Sequence, residues 1–174
     1  QLNPYVVGFH FVVSIGIIVL STVFVFRVYR GYAPRTWAVS PALVWVTWLM
    51  ALFQTVTLTV GILTTGSGPH AGDVKAPRNG LDSEILQHIH SYPAYIALGL
   101  AALLLVLSVI YRHGALRKTV IALIAINLAQ VAVGITQSRL GLPELLVGTH
   151  MFLACLVAAA VTLVLLNLRK PAES

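Results

Sequence analysis

The chain has 174 residues, 58% of them hydrophobic and only 9% charged, with a mean hydropathy of +0.90; ordinary soluble domains carry about a quarter charged residues. That balance excludes a water-soluble globular domain and points to a membrane protein. The net charge of +6 does not point to nucleic acid, because the eleven Lys and Arg residues fall in short clusters between apolar runs, without a basic stripe of interleaved aromatics. The single cysteine, Cys155, lies inside an apolar run, which leaves no disulfide framework and no cysteine metal cluster. It reads as a small core residue.

The chain opens on Gln1 with neither Met nor a basic leader segment, so its first apolar run does not read as a cleaved signal peptide. The expectation is that the front of a longer protein precedes it. Five apolar runs, at residues 5–27, 38–64, 84–110, 119–137 and 146–168, are long enough to cross a bilayer, since about 20 helical residues at 1.5 Å each cover roughly 30 Å. The predicted fold class is all-α: a polytopic membrane protein of five transmembrane helices, the last four forming a four-helix bundle. Residues 1–30 are read as a helix belonging to a preceding half, and 38–170 as a complete four-helix half.

Arg27, Arg30 and Arg35 lie between the first two runs, Arg112, Arg117 and Lys118 between the third and fourth, and Arg169 and Lys170 after the fifth. The other loops mix signs: Lys75 and Arg78 with Asp73, Asp82 and Glu84, then Arg139 with Glu144. The positive-inside rule therefore predicts a multi-pass cell-membrane protein with its N-terminus outside and its C-terminus cytoplasmic.

In that orientation His10, His90 and His150 each lie within two turns of the start of a helix entering from the outer face. One such histidine reads as a snorkelling or capping residue; three at one depth point to ligation, because an imidazole in lipid is costly without a partner. The two outward-running helices carry a second pattern, Gln54, Thr57, Gly61 and Thr64 against Asn127, Gln130 and Gly134, each set on one helix face. Ordinary helix packing explains small and polar residues in membranes; the functional alternative is that glycine admits a flat macrocycle. Gly/Pro-marked turns precede the histidine-bearing helices, at Asn3-Pro4, Gly68-Pro69 and Gly141-Leu142-Pro143, so the unit of an outward helix, a turn and an inward histidine helix repeats.

Within Gln87-His88-Ile89-His90 the two histidines are about 200° apart on a helix and cannot share a face. Below His90 run Ala94, Ala97 and Ala101, suited to a bundle interior, while below His88 run Tyr92 and Tyr95, suited to the lipid interface. His90 is therefore read as inward and His88 as peripheral; His150, with Ala154 and Ala158 beneath it, shares the inward signature. Pro93 removes an amide just below His90 and kinks or is tolerated near the helix end. Two neutral imidazoles on facing helices can clamp an iron porphyrin. Zinc would need further ligands, and the acids lie on loops, rims or the tail. His70 reads as a solvated loop residue, and Lys75, Arg78 and Arg139 as candidates to meet haem propionates.

Gly61-Ile62-Leu63-Thr64-Thr65-Gly66-Ser67-Gly68-Pro69-His70-Ala71-Gly72-Asp73, then Ala76-Pro77-Arg78 and Gln87-His88-Ile89-His90, together resemble the heme A synthase family, especially its actinobacterial members. Leu2-Asn3-Pro4 with His10-Phe11, and Gly141-Leu142-Pro143-Glu144-Leu145-Leu146-Val147 with His150-Met151, resemble it too. The resemblance implies eight spans in two pseudo-symmetric halves, of which this chain matches the fourth span and the second half. It implies that His90 and His150 are the axial pair of a haem b and that His10 ligates the other haem site, where haem O is the substrate. The family's Glu-x-x-His-Arg motif is absent, and its glutamate position falls at Gln87, which cannot serve as a carboxylate base. Ser91-Tyr92-Pro93 departs from the family's usual continuation, and the loop cysteine pair of some members is missing.

The expected function is thus that of a heme A synthase, an oxidoreductase converting the C8 methyl of haem O to a formyl group, with this chain supplying the haem b half and not completing the reaction alone. The implied partners are haem, membrane lipid, the first half, haem O synthase and terminal-oxidase assembly, with a homo-oligomer left open and no nucleic acid. The alternatives are a membrane b-type cytochrome serving quinol electron transfer and a non-enzymatic cytochrome oxidase assembly factor.

Overall fold

The computed structural model describes residues 3–69 and 77–172. It contains five long helices, α1 (Pro4–Arg30), α2 (Pro41–Ser67), α3 (Ser83–Ile110), α4 (Gly114–Arg139) and α5 (Glu144–Leu166), with two short strands, β1 (Arg35–Trp37) and β2 (Arg169–Pro171). All five helices are long and apolar enough to cross a bilayer, and the chain is an all-α polytopic protein.

Local chemistry sets the boundaries. Asn3 accepts from the Tyr5 amide and Asp82 from those of Glu84 and Ile85, while Pro4 and Pro41 occupy first-turn positions where a missing amide hydrogen costs nothing. Gly31 and Gly141, at φ 78° and 73°, turn the chain after α1 and α4 in a conformation that favours glycine. Lipid offers no hydrogen bonds, so the hydroxyls of Thr47, Thr55, Thr57 and Thr64 each donate to the carbonyl four residues back.

The fourth helix begins at Gly114, five residues before the expected start at 119. Arg117 and Lys118 stand on its first turns as exposed side chains, because a helix continues past the hydrocarbon edge and presents its cations to the headgroups. The strands were not expected. β1 pairs antiparallel with β2, Arg169 stacks over the Trp37 ring at 4.1 Å, and Arg35 donates to the Arg169 carbonyl at 2.5 Å. This ribbon ties the α1–α2 connection to the segment after α5.

Helices α2 to α5 pack in a ring, each against the next and α5 back against α2, while α1 lies outside it against α5 and α2. The bundle is layered along its length. At the ribbon end Leu43, Leu104, Leu116 and Val164 are fully buried in a dry core. Midway, the Gln54 side-chain amide donates to Asn127 Oδ1 at 3.0 Å between α2 and α4, and Asn127 in turn donates to the Leu123 carbonyl. Beyond that pair the apolar filling gives way to the histidine layer.

Both amides are buried, so the substitution Asn127→Leu strands the Gln54 donor. Destabilisation by about 0.6–1.7 kcal/mol is expected, with partial recovery in the double variant Gln54→Leu/Asn127→Leu. Detergent-titrated unfolding followed by circular dichroism measures both; strictly additive losses would refute the coupling.

Candidate functional site

His90 on α3 and His150 on α5 come together at the end of the bundle remote from the ribbon, with ring centroids 6.3 Å apart and planes inclined at 70°. Both are partly buried. Beneath His90, Ala97 and Ala101 are buried, and beneath His150, Ala158 is buried, so both rings stand over small packed side chains.

What seats the rings is backbone. His90 Nδ1 lies 2.9 Å from the Thr57 carbonyl oxygen of α2. In a helix the side chain at i+4 normally leans back over the carbonyl at i, and four residues after Thr57 stands Gly61. A methyl on Gly61 would come within 2.9 Å of His90 Cε1. The second half repeats the arrangement: His150 faces the main chain of Gln130 on α4, and a methyl on Gly134, four residues on, would sit 3.2 Å from His150 Cε1. The repeat is not perfect, since His150 Nδ1 falls short of hydrogen-bond geometry and is a buried atom without a partner among the described residues. Gly61 thus admits the His90 ring to the Thr57 carbonyl, and Gly134 admits the His150 ring close to the face of α4.

A ring that donates from Nδ1 keeps Nε2 as its basic nitrogen. Two imidazoles this close would be able to hold one metal ion between them. Among the described residues no group of three or more His, Cys, Asp or Glu could hold a metal ion. Two protein ligands alone suit an iron whose remaining positions are filled by a porphyrin, so the donor set fits a haem.

The other sequence candidates lie apart from this pair. His10 is exposed on α1, His88 is exposed on α3, and His113 precedes α4 at the opposite end of the bundle. His70 and Lys75 lie outside the described residues. Arg78 donates to the Pro69 carbonyl at 2.7 Å, and Arg139 is exposed at the end of α4. Gln87, read from the sequence only as a missing carboxylate, donates to Ser138 Oγ and links α3 to α4 beside the site. Sequence reasoning also missed the carbonyls of Thr57 and Gln130; the signal was a glycine four residues after each.

Comparison with protein-family models, curated proteins and solved structures finds no match to this chain.

Gly61→Ala is expected to swing His90 off the Thr57 carbonyl and to cost about 1 kcal/mol or more. Gly134→Ala, with the looser contact and no hydrogen bond to lose, should cost less. Gly99→Ala, where nothing lies within 4 Å of the added methyl, serves as control in thermal unfolding of the micellar protein.

Proposed function

We propose that this chain is a membrane haem b-binding bundle in which His90 and His150 would hold the iron, and that it is the second half of a heme A synthase-type protein. The observation that carries the reading is the meeting of two imidazoles from different helices, with ring centroids 6.3 Å apart, in a layer without other ligating side chains among the described residues. In this reading His90 is oriented by the Thr57 carbonyl and His150 by the close approach that Gly134 permits. Bound haem supplies one-electron redox chemistry. The chain's own contribution is to fix both nitrogens and to surround them with small apolar side chains.

The wider assignment rests on the sequence resemblance. Under it the complete protein oxidises the C8 methyl of haem O, His10 belongs to the other haem site, and this half holds or relays an electron. The basic ends of the helices support a cytoplasmic C-terminus and an outer histidine layer. A quinol-oxidising cytochrome b with a haem site near each face is less well supported, because the opposite end of the bundle offers His113 alone among the described histidines.

The purified protein should take up haem b and, reduced with dithionite, give the sharp α-band of a six-coordinate bis-histidine haem. His90→Ala and His150→Ala should each abolish that low-spin band, while His88→Ala leaves it intact. A bis-histidine spectrum surviving in the His90→Ala/His150→Ala double variant would disprove the ligand assignment, and failure to bind haem would favour a non-enzymatic assembly factor.

A further inference from the structure

At the ribbon end the concave surface between α1, α4 and α5 belongs to no part of the histidine site. It is a groove of about 630 Å³ whose floor is apolar, with Ile18 and Val25 of α1 facing Ala159 and Leu163 of α5. Arg30 and Asn167 stand at one end of its rim, and the hydroxyls of Ser21, Thr22 and Thr119 also line it.

Three features select the occupant. First, the groove runs along α1 from Ile18 to Arg30, about 18 Å at the helical rise. That is close to one leaflet of a hydrocarbon core about 30 Å thick, a match for a lipid chain and too short for a helix crossing the whole membrane. Second, Arg30 is an exposed cation at the mouth, and the acids among the described residues, Asp82, Glu84 and Glu144, belong to the other end of the bundle. Third, positive charge is concentrated there: burial first, then the neighbouring charges of Arg27 and Arg30, hold the Arg35 guanidinium below its ordinary pKa. A basic pocket between transmembrane helices at the headgroup level is the setting in which anionic lipids bind.

We propose that this groove holds one acyl chain of an anionic phospholipid, with the lipid phosphate on Arg30. The site seals α1 to α5 along a seam where Phe26 is the one buried residue α1 contributes, and it is independent of any haem.

The test is native mass spectrometry of the full chain, extracted from vesicles of phosphatidylcholine with phosphatidylglycerol. One phosphatidylglycerol should remain on the wild type. Arg30→Gln should lower its retention about fivefold, and Ala159→Phe, which fills the floor, should also displace it. Arg112→Gln, removing a charge from the same end away from the groove, should leave it bound. Equal retention of both lipids, no retained lipid, an isoprenoid quinone in its place, or equal loss with Arg112→Gln would each overturn the proposal. Arg30 is exposed, so its variant decides the question even if Ala159→Phe does not fold.

Discussion

The structure turns on a hydrogen bond that needs a missing side chain. A helix in lipid has already paired its backbone groups, yet each carbonyl keeps a second lone pair. Side chains four residues on normally cover it. Removing the side chain at Gly61 uncovers the Thr57 carbonyl, and His90 crosses from α3 to occupy it at 2.9 Å. One contact therefore does two things: it draws α2 and α3 close at that level, and it places a polar ring in an apolar bundle with one nitrogen satisfied. The cost of holding an imidazole at that depth is offset by a backbone carbonyl.

The second half repeats this geometry with Gln130, Gly134 and His150, but looser. The two repeats meet on the Gln54–Asn127 pair, whose members occupy matching positions three residues before Thr57 and Gln130. A buried amide pair between α2 and α4 fixes the depth of both carbonyls, and with them both histidines. Below it a close-packed apolar core fills the ribbon end.

Much of this was legible in the sequence. Apolar runs of spanning length locate helices regardless of packing, and the alanines beneath His90 and His150 told which way those rings face; the exposure of His88 agrees with the tyrosines beneath it. What could not be read is what depends on pairs distant in the chain. Nothing local in Arg35-Thr36-Trp37 announces a strand, because its partner lies more than 130 residues away and the pairing needs Arg169 on Trp37. Arg117 and Lys118 looked like a loop because charge marks the hydrocarbon edge, not the end of a helix. Gly61 and Gly134 stood out by spacing, but a glycine says only that something comes close. It does not say whether that something is a macrocycle or a neighbouring ring.

Gln87 shows the same limit and what lies past it. Its amide links α3 to Ser138 on α4, yet a glutamate there could accept from the same hydroxyl, so the link alone does not require glutamine. What glutamine changes is charge. A carboxylate one turn from His90 would stabilise positive charge on a bound ferric iron and offer a proton acceptor. With a neutral amide in that place, and with Asp82, Glu84 and Glu144 all exposed at the rim, the histidine layer has no acid of its own among the described residues. Under the proposed reading Gln87 therefore serves the histidine layer as a neutral link between α3 and α4 and not as a base.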